Sequence, residues 1–159
     1  MGEIIIRLLK NEILRDVGTL ARCVQSISDI KFRELNLQRG QFIFLTRICE
    51  CPGINFIELS NMLKVDKATT TKAVQKLMAE EYVVRKRDLE DKRMWHLFPV
   101  ARAEKVYDYI IQEENRRIAS CLSDFSDEEK TMAEHLIKRM GQNIEQDWKT
   151  TKSLKDEEK

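Results

Sequence analysis

The chain has 159 residues, 42% of them hydrophobic and 35% charged, with a formal net charge of +1. That length accommodates one domain with a proper core, and no apolar run approaches the ~18 residues of a membrane span. A near-neutral total argues, taken alone, against nucleic-acid binding. The charge is unevenly spread, however: residues 64–93 hold nine Lys/Arg against six Asp/Glu, whereas residues 100–159 hold eleven against fourteen, and phosphate attraction follows the local field.

Only five glycines and two prolines interrupt the chain, which favours a mainly α fold. The first segment, residues 4–31, carries Ile5, Leu9, Ile13, Val17, Leu20, Val24 and Ile27 at three- and four-residue spacing and predicts a long helix. A stripe of that length suits both core contact and a surface shared with a second chain. The triplet Ile4-Ile5-Ile6 is too short for a signal-peptide core, and Ile6 stands where myristoylation needs Ser or Thr, so a cytoplasmic protein is expected. Residues 38–50 predict a second helix with Phe42, Leu45, Ile48 and Cys49 inward, stopped by Pro52-Gly53. Asn55 followed three residues later by Glu58 is a capping box for a short third helix. After a break at Lys64-Val65, Asp66 caps a fourth helix, with Val74 and Leu77 inward and Lys67, Thr71, Lys72 and Gln75 on or near the opposite face. Thr70, four residues before Val74, is expected to face the core.

Two short β-type runs, Tyr82-Val83-Val84 and Met94 to Phe98, flank the charged turn 88–93. An ordinary surface hairpin with wet charges fits this pattern. Against that, Arg85, Lys86, Arg87, Lys92 and Arg93 crowd five cations onto one small hairpin, and they repel one another unless an anion lies nearby. Residues 101–122 predict a fifth helix. Ser126 and Glu129 form a second capping box opening a sixth, with Ala133, Leu136, Ile137, Met140, Ile144 and Trp148 as its stripe, and residues 151–159 read as a polar tail fraying from Thr150. The cysteines Cys23, Cys49, Cys51 and Cys121 form no CxxC pair and are expected to be reduced, buried thiols. Cys49-x-Cys51 is too thinly supplied with partners, His96 and His135 alone, for a four-ligand zinc site. No nucleophile–base pair, Gly-rich phosphate loop or metal-spaced cluster is present, so no catalytic residue, cofactor or metal is assigned and an enzyme is not expected.

The order of helix, helix, short helix, capped helix, charged hairpin and two long helices resembles the MarR family of bacterial transcription regulators. The likeness spans roughly residues 5–149 and is most specific in Glu58-Leu59-Ser60 through Leu77, in Tyr82-Val83-Val84-Arg85, and in the Asp91-Lys92-Arg93 triplet. The chain departs from the family's Leu-Thr-x-Lys-Gly-like entry to the next helix, with Val100 in place of Thr and Ala103 in place of Gly.

That resemblance implies a mainly α winged helix-turn-helix in a single domain, residues 1–150. Segments 1–35 and 122–150 would be dimerisation helices, and 38–100 the DNA-binding region with its small β-hairpin wing. It implies a homodimer acting on a near-palindromic operator as a repressor, no membrane association, and release by a small aromatic effector. The helix from Lys67 to Glu80 would enter the major groove. Lys67 and Lys72 would reach phosphates or guanine, Thr69 and Thr71 a thymine methyl or base edge, Gln75 an adenine and Lys76 a phosphate at the groove's rim. For any one threonine, plain helix surface is an equal reading. In the wing, Arg85, Arg87, Lys92 and Arg93 would contact DNA, with Arg93 or Arg87 in the minor groove, while Asp91 would hold an arginine through a charge-assisted bond. Redox-responding members of the family direct attention to Cys23 and Cys49. The alternative is a winged-helix protein-interaction module without DNA binding.

Overall fold

The computed structural model describes residues 8–157. In chain order the elements are α1 (Ile13–Lys31), α2 (Gln41–Glu50), α3 (Phe56–Leu63), α4 (Lys67–Ala79), β1 (Val83–Arg87), β2 (Trp95–Pro99), α5 (Ala101–Cys121) and α6 (Asp127–Glu157). This is the mainly helical, winged architecture expected. Contacts divide the chain between Asn115 and Arg116 into two compact units.

The first unit holds a continuous apolar core. Phe32, Leu37, Leu45, Ile48, Leu59, Val74, Leu77, Tyr82, Leu97, Ala103 and Ile110 are fully buried in it. Phe32 meets Phe42 at 5.0 Å between ring centroids and Tyr109 edge-on at 5.9 Å. A short 3-10 turn, Arg33–Leu35, which periodicity did not reveal, links α1 to α2. The capping box of α3 forms as expected: Asn55 Oδ1 accepts the backbone N–H groups of Ile57 and Glu58, and Glu58 Oε2 accepts that of Asn55. The Lys64-Val65 break closes α3 with Lys64 left-handed at φ 54° and the Val65 N–H bonded to the Ser60 carbonyl. Asp66 then caps α4 through the Thr69 N–H at 2.7 Å. α4 ends in the same way, with Glu81 at φ 59°, the Tyr82 N–H on the Leu77 carbonyl and the Glu81 N–H on the Met78 carbonyl.

β1 and β2 pair antiparallel, Val83 opposite Pro99 and Arg87 opposite Trp95. The other edge of β2 meets the turn after α2: Gly53 N–H donates to the Leu97 carbonyl at 2.7 Å and Leu97 N–H to the Ile54 carbonyl at 2.9 Å. Gly53 sits at φ 91°, a conformation that a Cβ would strain. The second unit comprises the end of α5 and all of α6, whose start is fixed by the predicted box: Ser126 Oγ accepts the Glu129 N–H and Glu129 Oε2 accepts the Ser126 N–H.

Four expectations need correction. The first helix begins at Ile13, not near residue 4, because Asn11 Oδ1 takes the Ile13 N–H and residues 8–12 are not helical; Ile5 lies outside the described residues. The second starts at Gln41 rather than 38, since Arg39 and Gly40 are left-handed. The expected polar tail is instead helical through Glu157, because no breaker follows Trp148. Finally, Cys23, Cys51 and Cys121 are exposed and Cys49 is half-buried. The apolar stripe next to Cys23 is itself exposed, Cys51 terminates α2, and Cys121 ends α5.

Candidate nucleic-acid interface

α4 is held by one face and free on the other. Thr70, Ala73, Val74 and Leu77 are buried. The Thr70 hydroxyl lies 2.7 Å from the Ser60 hydroxyl, which also donates to the Phe56 carbonyl, and this buried contact fixes α4 against α3. Thr70 thus faces the core as its spacing predicted. Lys67, Thr69, Lys72 and Gln75 are exposed on the outer side, and Thr71 and Lys76 are half-buried at its margins. The Thr71 hydroxyl bonds back to the Lys67 carbonyl at 2.8 Å, so its methyl is the part left for an apolar contact. The free face offers two ammonium groups, a hydroxyl and a carboxamide within three helical turns. That is the inventory a helix needs for phosphates and base edges.

The hairpin presents the second group. Arg85, Lys86, Arg87, Lys92 and Arg93 are all exposed. Arg85 and Arg87 both stack on Trp95, at 4.3 and 4.8 Å from the ring centroid, and Lys86 lies 4.9 Å over Phe98. Alternation along β1 puts both arginines on one face, and the indole opposite Arg87 serves as their platform. Cation–π contact at the surface is worth about 0.5–1 kcal/mol and leaves the outward guanidinium edges free to donate. Trp95 had no assigned role in the sequence; a large aromatic one strand away from two arginines in i, i+2 order is the signal that could have marked it.

Asp91 organises the wing differently from expectation. Its Oδ1 accepts the backbone N–H of Arg93 at 3.0 Å, and among the described residues no ion pair joins it to an arginine. The short side chain closes a local turn before it can reach a guanidinium. The main organiser is Asp88. Its Oδ1 accepts the N–H groups of Glu90 and Asp91, both at 2.8 Å, and its Oδ2 lies 2.8 Å from His96 Nε2. The Asp91 N–H, the His96 contact and the Glu90 N–H together hold the Asp88 carboxyl down to about 2.

On α2, burial first, then Glu104 and Glu50, push the Cys49 thiol up to about 11. A thiol so rarely ionised is a slow nucleophile and a poor peroxide sensor. In single-cysteine variants at pH 7.5, Cys49 should react with a disulfide reagent at least about tenfold more slowly than the exposed Cys51; equal rates would contradict this environment.

The MarR family model matches residues 37–94, which run from Leu37, just before α2, through the charged turn of the hairpin. The chain is 39% identical over 142 residues to an uncharacterized HTH-type transcriptional regulator, YybA, of Bacillus subtilis, covering 89% of this chain and 95% of that one. Among solved structures, a MarR protein from Peptoclostridium difficile is 54% identical with a TM-score of 0.89, covering 95% of this chain and 99% of the other. A MarR family transcriptional regulator described as putative, from Listeria monocytogenes and complexed with a 26mer DNA, is 36% identical with a TM-score of 0.86, covering 93% and 96%.

Proposed function

The chain belongs to the MarR family of transcriptional regulators, and from that premise we propose that it is a homodimer that reads a near-palindromic duplex operator with α4 and grips the adjacent backbone and minor groove with its hairpin. The observation carrying this reading is the pairing of a free, cation-bearing α4 face with a wing whose two arginines are stacked on one indole. The solved DNA complex of the Listeria relative supports it. No catalytic step is assigned, and a regulator of this kind works in the cytoplasm. No helix of the described residues is long and apolar enough to cross a membrane.

Dimerisation is supported by the apolar side chains that a single chain leaves in water. On α1, Ile13, Val17, Leu20 and Ile27 are 37–51% exposed, and only Ser28 of that helix is buried. On α6, Leu136, Ile137 and Ile144 are likewise exposed. Continuous apolar faces of this kind mark association surfaces. Two reading helices related by a two-fold axis address half-sites about one helical turn, roughly 34–36 Å, apart. Release by a small aromatic effector is the expected mode of response, supported by the family's habit and testable by a drop in operator affinity on adding phenolic acids.

Selection of bound sequences from random duplexes, followed by a salt titration on the winner, tests the proposal. The selected site should be a near-palindrome, and log affinity should fall against log salt by about 0.9 per phosphate neutralised. A protein that shifts no duplex at low salt, or binds without salt dependence, is not this regulator.

A further inference from the structure

We propose that His96 is a positioning residue for the wing, clasping the charged hairpin to the α2–α3 turn as an imidazolium, so that the grip on duplex DNA weakens when the ring gives up a proton. This rests on the DNA-binding function proposed above.

His96 is the second residue of β2, with both ring nitrogens engaged: Nδ1 is 2.6 Å from the Gly53 carbonyl oxygen and Nε2 is 2.8 Å from Asp88 Oδ2. Both partners are acceptors. A carbonyl has no proton to give, and Asp88 is ionised at any ordinary pH because two backbone N–H groups also bond its carboxylate. A neutral imidazole carries one N–H and can satisfy only one of the two, whichever tautomer it adopts. The imidazolium donates to both. The choice therefore follows from the partners rather than from an assigned hydrogen.

The charged groups around the ring act in the same sense, with one exception. Asp88 from the turn and Glu58 from α3 are negative; Lys86, directly opposite on β1, is positive, but its ammonium is drawn over the Phe98 ring. The balance raises the ring above the ordinary histidine value, first through the bond to Asp88 and then through that to Gly53. A raised histidine contributes fully below its ordinary range and loses its contribution as the pH climbs through the folded-state value.

The clasp joins parts that sequence separation keeps far apart. Asp88 uses one oxygen to shape the turn that carries Lys92 and Arg93 and the other to hold His96, while Gly53 ties the same ring to the loop entering the α3 cap. Arg85 and Arg87 stack on Trp95, the residue before His96. Losing the proton releases one end of this tie and lets the cationic turn move relative to α3 and α4.

Two readouts test it. Operator affinity is measured from pH 5.5 to 9 at fixed ionic strength, and ring titration of the free protein is followed by NMR. Only two histidines are present, so His135→Gln isolates the signal and serves as the control. Affinity should fall by about tenfold across the transition, the scale of one charge-assisted hydrogen bond, with a midpoint matching the His96 titration. His96→Gln should remove the pH dependence, and His135→Gln should keep it. Asp88→Asn should move the midpoint down, a shift that mere loss of folding cannot produce. An identical pH profile in wild type and His96→Gln, or a ring carrying one N–H at pH 5.5, overturns the clasp. Absence of duplex binding at every pH overturns it together with the DNA-binding function, and the two failures are thereby distinguished.

Discussion

Replacing Tyr82 with alanine should lower the free energy of unfolding by about 3–5 kcal/mol. Tyr82 is fully buried, and it lies between α4 and β1 with Arg102 of α5 over its ring. Its N–H closes the end of α4 on the Leu77 carbonyl, and its hydroxyl donates to the Leu35 carbonyl at 3.0 Å. The Arg102 guanidinium lies 4.5 Å over its ring and donates to the Glu80 carbonyl at 2.9 Å. Alanine removes the ring, leaves a cavity and frees the arginine that caps the last turn of α4. Tyr82→Phe keeps the packing and should cost about 1 kcal/mol, the net worth of one buried hydrogen bond. Urea denaturation decides it through the midpoint at unchanged slope. An alanine variant within 1 kcal/mol of wild type would mean that the ring is not packed as described.

The second large effect belongs to the wing. Arg85→Ala combined with Arg87→Ala should weaken operator binding by about 10- to 100-fold, which is 1.4 to 2.8 kcal/mol. Loss of two phosphate neutralisations should also make the salt slope shallower by about 1.8. Both guanidinia are already held on Trp95, so little ordering is left to do on binding. The effect should be similar for every operator sequence, because phosphates and groove width carry most of what a wing reads. Gln75→Ala, on the free face of α4, should instead relax preference at a single base pair. Wild-type affinity and slope in the double variant would remove the wing from the interface.

What could be read from the sequence was local. The caps at Asn55, Asp66 and Ser126 formed as expected because each is decided within three residues of chain. The burial of Thr70 followed from its distance to Val74. The His96 contacts were not legible, because they join positions 8 and 43 residues apart and depend on the register of β1 with β2. The partner of Asp91 was not legible for a related reason: sequence shows that an acid and arginines are neighbours, but not that the acid bonds a backbone N–H rather than a guanidinium. Periodicity also could not separate a stripe that meets the core from one that meets solvent or a second chain. Both repeat every three to four residues, which is why the apolar stripe of α1, and Cys23 on the same helix, proved more exposed than the thiol's usual habit suggests.

The bond between Ser60 and Thr70 has an evolutionary corollary. It anchors α4 from behind, through side chains on the buried face, away from the outward-facing side chains of Lys67, Thr69, Lys72 and Gln75. Those four positions can drift without tilting the helix, so a duplicated gene could acquire a new target by exchanging surface letters alone, on an unchanged chassis.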